Sequence, residues 1–112
     1  MRVYKPWGRE EIFAVTDKYA GKVIIINYGC KLSLQYHRYK HETIYVFRGL
    51  LRVTLGEKTF IAEDGDSIEI APLMSHRFEA ISSDVILFEV STPELEDIVR
   101  IEDDYRRESN GN

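Results

Sequence analysis

The chain has 112 residues, of which 44% are hydrophobic, 30% charged and 12% aromatic, and it carries a formal net charge of −4. That length buries one modest core, so one domain is expected, and the acidic balance argues against nucleic acid as the main partner while leaving room for one local phosphate pocket. The only cysteine, Cys30, allows no internal disulfide, and neither the N-terminus nor the longest apolar run, residues 23–26, has the length of a signal or membrane segment. The expectation is a soluble, cytoplasmic protein.

In chain order, residues 22–28 are β-branched and nearly all apolar, which predicts a strand buried on both faces. Residues 31–36 alternate, with Leu32, Leu34 and Tyr36 on one side and Ser33, Gln35 and His37 on the other. Residues 42–48 form the next strand and Gly49 ends it. Leu51, Val53 and Leu55 alternate with Arg52 and Thr54, and Gly56-Glu57 turns the chain into a hairpin partner over 58–62. Residues 63–66 are a turn. Residues 67–70 alternate again, Pro72 interrupts, and 76–81 and 85–90 complete the series. About eight short strands at roughly ten-residue spacing are the rhythm of a sandwich or barrel. Residues 93–99 are expected as a short helix or turn. A disordered polar tail is expected over 107–112, leaving one domain over 1–106.

The chemistry-bearing residues fall on this frame in a pattern. Gln35 and His37 are two apart, so both side chains leave one face of a strand. Glu42 opens the next strand and His76 opens a later one. An interior lined by glutamine, histidine, glutamate and histidine needs partners for its polar atoms. One divalent metal ion held by Gln35, His37, Glu42 and His76 would satisfy all four. Imidazole and carboxylate donors suit zinc first, with manganese, iron or nickel as alternatives, and the absence of a nearby thiolate argues against a structural zinc knuckle.

The spacing also carries a resemblance. Gly29, Gln35, His37, Glu42 and Gly49, followed by Gly65, Pro72 and His76, resemble the two signature motifs of the cupin superfamily, with Gln35 at the first histidine position. Four stretches resemble the type II mannose-6-phosphate isomerase branch of that superfamily. They are Lys5-Pro6-Trp7-Gly8, Leu32-Ser33-Leu34-Gln35-Tyr36-His37, His76-Arg77, and the run from Asp97-Ile98-Val99-Arg100 to Asp103 and Tyr105. Tyr39, Lys40, Thr43, Ile44, Leu73 and Ala80 depart from the family pattern, and Pro72 stands one place late.

The resemblance implies an all-β double-stranded β-helix, the cupin jelly-roll barrel, with a metal inside. It implies aldose–ketose isomerisation of a sugar phosphate. The alternatives are a non-catalytic module that binds a sugar or sugar nucleotide, and an iron-dependent oxygenase, which Gln35 disfavours. A substrate phosphate would need a cation, with Arg77 first and Lys40 and Arg38 next, although strict alternation points Arg77 away from His76. The candidates for a general base are His41 and Glu89, with an exposed loop histidine the plainer reading of His41. Small-molecule ligands, no nucleic acid, no membrane and a homodimer complete the expectation. Tyr4, Trp7 and the outer sheet face are the candidate dimer contacts, and core packing is the alternative for each aromatic.

Overall fold

The computed structural model describes residues 1–107. They form eleven strands: β1 (Arg2–Lys5), β2 (Gly8–Val15), β3 (Ala20–Ile26), β4 (Leu34–Tyr36), β5 (Glu42–Arg48), β6 (Leu51–Leu55), β7 (Lys58–Ala62), β8 (Ser67–Ile70), β9 (His76–Ala80), β10 (Val85–Ser91) and β11 (Val99–Glu102). A six-stranded sheet runs in the order β1-β2-β3-β10-β5-β8, and a five-stranded sheet runs β11-β4-β9-β6-β7. Pairing within both is antiparallel.

The two sheets close over a core of branched aliphatic side chains. Ile24, Ile26, Ile44, Val46, Val85 and Leu87 from one sheet meet Leu51, Val53, Ala62, Phe78 and Ala80 from the other. Because side chains alternate along a strand, each inward row can be followed from end to end. On β3 the row is Lys22, Ile24, Ile26; on β5 it is Glu42, Ile44, Val46; on β9, His76, Phe78, Ala80; on β10, Val85, Leu87, Glu89, Ser91. The register pairs Glu89 with Lys22 and Ser91 with Glu42. The polar members therefore gather at one end of the barrel and the apolar members fill the other.

Local signals set the turns. Gly56 has φ +60°, the left-handed conformation that a two-residue hairpin loop requires. At Gly8 a Cβ would lie 1.9 Å from the carbonyl oxygen of Ile25, so only glycine lets β2 approach β3 there.

Several expectations are corrected. Residues 22–28 are not buried on both faces: Val23 and Ile25, which alternate with the inward row, are half-buried, and Asn27 and Tyr28 are exposed. Residues 31–36 hold a strand only over Leu34–Tyr36. Of the helix or turn expected over 93–99, the turn is found, at residues 95–96, and it leads into β11, which pairs with β4. β1, β2 and β11 were not anticipated as strands. Trp7, at 2% exposure, belongs to the core, whereas Tyr4 is exposed. On the outer face of the larger sheet, Tyr45, Phe47 and Phe88 form an exposed aromatic row, with ring centroids 6.3 and 5.0 Å apart. Arg107, placed in the expected tail, is held by Asp103 through bonds of 2.7 and 3.0 Å. The remainder of that tail, 108–112, lies outside the described residues. No helix among the described residues is long and apolar enough to cross a membrane.

Candidate metal centre

The polar end of the barrel encloses a cavity of about 50 Å³. Gln35, His37, Lys40, Glu42, His76 and Glu89 line it, together with Lys5, Glu10, Lys22 and Arg100. Alternation puts Gln35 and His37 on one face, Glu42 and His76 open their strands, and all four proposed ligands line this cavity. His37 Nε2 lies 3.4 Å from Glu42 Oε1, and His76 Nε2 lies 3.3 Å from the same oxygen. The donor atoms of these three residues fall within 4.8 Å of one another, and all three residues are buried. Gln35 is paired with His76 across β4 and β9, and its Oε1 accepts a bond from Ser33 Oγ at 2.6 Å.

Both imidazoles are oriented by the main chain. His37 Nδ1–H donates to the carbonyl of Asp97 at 2.5 Å, and His76 Nδ1–H donates to the carbonyl of Met74 at 2.9 Å. With Nδ1 engaged by a carbonyl, Nε2 is the nitrogen that each ring turns to the cavity, and in the neutral imidazole it is a bare lone pair. Neither Nε2 has a hydrogen-bond partner. Three lone-pair atoms facing one another in a buried space repel unless a cation lies between them. Two donors each about 2.1 Å from one ion stand about 3.0–3.4 Å apart for right-angle or tetrahedral geometry. The observed separations fit that span. The residues present therefore suit a divalent ion, and the carbonyl-oriented imidazoles are the outer support that metal-ligating histidines usually have.

A row of buried charges leads away from the cluster. Lys40 Nζ lies 3.1 Å from Glu42 Oε2 and 3.0 Å from Glu89 Oε2. These are the distances of close ion pairs. Lys22 Nζ continues the row at 4.0 Å from Glu89 and 3.3 Å from Glu10, and Lys5 stands 4.0 Å from Glu10. Burial raises the Glu89 carboxyl, and the neighbouring Glu42 raises it further, to about 7 despite Lys40 and Lys22. Burial also pushes the Lys5 ammonium down to about 8, against the pull of Glu10. For Glu42 burial works upward, but the Lys40 ammonium and the side chains of His37, His76 and Glu89 together outweigh it and hold the carboxyl well below its usual range.

The other candidates separate clearly. Of the three cations named for a phosphate, Lys40 lines the cavity and Arg38 is exposed on the loop. Arg77 lies on the opposite side of β9, as alternation requires. Its Nε donates to Leu32 O at 2.8 Å and its Nη2 to Glu102 O at 3.0 Å. Of the two candidate bases, Glu89 is 3% exposed within the cavity, while His41 is exposed and bonds Glu69 at 2.8 Å.

Two groups escaped sequence reasoning. Asp97 was singled out only as part of a closing motif, yet its carboxylate accepts the amides of Arg38, Tyr39 and Lys40 at 3.1, 2.7 and 3.0 Å. Those bonds hold its pKa down against the effect of burial. Lys5 and Arg100 belong to the recognised motifs, but nothing in their spacing placed them in the cavity.

Two antiparallel sheets wound around an enclosed His/Glu/His cluster define a double-stranded β-helix protein of the cupin class. The fold matches KdgF from Halomonas sp. with a TM-score of 0.77, at 19% identity, over 83% of this chain and 84% of that one. It also matches oxalate decarboxylase with a TM-score of 0.78, at 21% identity, over 90% of this chain and 30% of that one. Within the class, the chain belongs to the mannose-6-phosphate isomerase C-terminal family, whose model matches residues 1–103. It is 32% identical over 110 residues to the xanthan biosynthesis protein XanB of Xanthomonas campestris pv. campestris, covering 95% of this chain and 24% of that protein. It is likewise 32% identical to mannose-1-phosphate guanylyltransferase 2 of Escherichia coli O157:H7, covering 95% of this chain and 23% of that protein. The chain thus spans about a quarter of the length of these curated relatives.

Proposed function

We propose that the chain binds one divalent ion through Gln35, His37, Glu42 and His76, and that it interconverts the aldose and ketose forms of a sugar phosphate. The observation that carries this reading is the pair of unpartnered Nε2 atoms, each 3.3–3.4 Å from Glu42 Oε1, beside a buried carboxyl with its pKa near neutrality. When bound, the ion supplies Lewis-acid polarisation of a carbonyl.

The remaining work falls to side chains. Glu89 serves as the base because a group with a pKa near the working pH can both take and return a proton. Its carboxylate removes the proton from C2 of the aldose. It then delivers a proton to C1, while the C2 hydroxyl proton passes to the oxygen on C1. Three lysines and three glutamates lining the cavity cancel in charge, so a divalent ion together with Arg100 leaves the loaded cavity cationic and suited to an anion. Arg100 and Lys5 are the cations we assign to the phosphate, since Lys40 is pinned between two carboxylates.

A second reading rests on the size of the cavity. About 50 Å³ holds a few water-sized groups and does not enclose a hexose phosphate, which favours a module that grips one end of a sugar or sugar nucleotide without turning it over. Metal analysis of the purified chain, paired with an assay on mannose 6-phosphate and fructose 6-phosphate, separates the two. Near one ion per chain, with turnover lost in His37→Ala and His76→Ala, supports the isomerase. Stoichiometric metal without turnover supports the binding module. No metal after reconstitution sinks both.

A further inference from the structure

Lys40 is a residue whose place in the fold has no counterpart in a simple substrate-binding role. It is 3% exposed, and its ammonium sits between two carboxylate oxygens, 3.1 Å from Glu42 Oε2 and 3.0 Å from Glu89 Oε2. Glu42 is therefore divided in function. Oε1 faces His37 and His76 in the donor cluster, while Oε2 faces an ammonium. The position of Lys40 is enforced from behind, because Asp97 accepts its amide at 3.0 Å and those of its two predecessors.

We infer that Lys40 is a positioning residue that keeps Glu42 a one-oxygen ligand, so that a bound divalent ion retains two adjacent open coordination positions for a ligand offering two oxygens. This rests on the metal site proposed above. The physical reason is competition: a carboxylate can close on an ion with both oxygens only if neither is engaged elsewhere, and a buried ammonium in contact with one oxygen holds it by a strong, weakly screened attraction. With Gln35, His37 and His76 each giving one atom, the chain would supply four of the donors of an ion that takes six, as manganese, iron, cobalt or nickel can. A chelating Glu42 would supply a fifth and leave no room for two oxygens side by side. Glu89 assists by taking the other side of the ammonium, which prevents Lys40 from swinging wholly toward Glu42.

The test uses the full chain loaded with cobalt(II), with stoichiometry measured first. X-ray absorption reports the number of light-atom ligands, and infrared difference spectra of the wild type report the splitting of the carboxylate stretches, which is wide for one-oxygen and narrow for two-oxygen binding. In Lys40→Met, one more oxygen is expected around cobalt. Cobalt binding should tighten at least tenfold, because a positive charge next to the ion is removed. The visible spectral response to acetohydroxamate, a two-oxygen probe, should be lost. Lys40→Arg should restore the wild-type coordination. A merely structural lysine would instead give weaker cobalt binding with unchanged coordination, and that result would overturn the assignment. If Lys40→Met does not fold, the wild-type infrared splitting and the Lys40→Arg spectra decide; a narrow splitting in the wild type overturns the inference. A wild type that takes up no cobalt would overturn the metal site itself, which is a distinguishable failure.

Discussion

Asp97 grips the loop after β4 twice: its main-chain carbonyl accepts Nδ1–H of His37 at 2.5 Å, and its carboxylate accepts the amides of Arg38, Tyr39 and Lys40. One residue of the C-terminal segment therefore sets the tautomer of a candidate ligand and the backbone path to Lys40 and Glu42. Asp97→Ala keeps the carbonyl but removes the three bonds that hold the loop, and is expected to weaken zinc binding by about 10-fold, the lower end of the range for lost outer support of a metal ligand. Competition with a chromophoric chelator measures it, and unchanged affinity would remove Asp97 from the site's support.

Glu89 makes the metal-free protein sensitive to pH. Its carboxyl lies near 7 in the fold against an ordinary 4.5, so the folded state holds a proton that the unfolded chain has released. The associated stability is fully present below about 4.5 and is lost as pH rises through about 7, with a size of about 3 kcal/mol. Urea denaturation of metal-stripped wild type and Glu89→Gln should therefore diverge, with the variant gaining relative to wild type between pH 4.5 and 7.5. Parallel stability curves would refute the assignment.

Leu73 sits at φ +71° with an exposed side chain, a conformation that favours glycine. A branched side chain in that conformation costs about 1–2 kcal/mol, which glycine avoids. Its amide donates to His37 O at 2.7 Å, so the conformation is held in place by the site. Leu73→Gly is expected to raise the melting temperature of the chain without changing metal stoichiometry. A drop in melting temperature would show that the loss of backbone rigidity prevails.

Arg77 and Arg100 give opposite expectations. Arg77→Ala removes bonds to Leu32 O and Glu102 O and should cost about 1–2 kcal/mol of stability while leaving phosphate-ligand affinity intact. Arg100→Ala should weaken binding of inorganic phosphate to the metal-loaded chain. Isothermal titration of the two variants checks both, and weaker phosphate binding in Arg77→Ala would reverse the assignment.

Alternation made much of the site legible before any coordinates. A period of two puts Gln35 and His37 on one face, and strand starts at Glu42 and His76 put the other two donors at the beginnings of their strands. The same rule turned Arg77 outward. It failed for β1 and β2, whose charged residues mask the pattern, and for β11, whose short run follows a proline and reads as a turn.

By itself, then, the sequence determined an all-β chain, its main strands and the shared face of Gln35 and His37, which follow from local geometry and the side-chain period, and its motif spacing added Glu42 and His76. Only the tertiary structure decided that Lys40 lies between Glu42 and Glu89, that Asp97 orients His37 from 60 positions further along the chain, and that Lys5 and Arg100 enter the cavity while Arg38 and His41 do not. Those contacts join strands and loops far apart in the chain, and their distances are set by sheet closure, which no local pattern encodes.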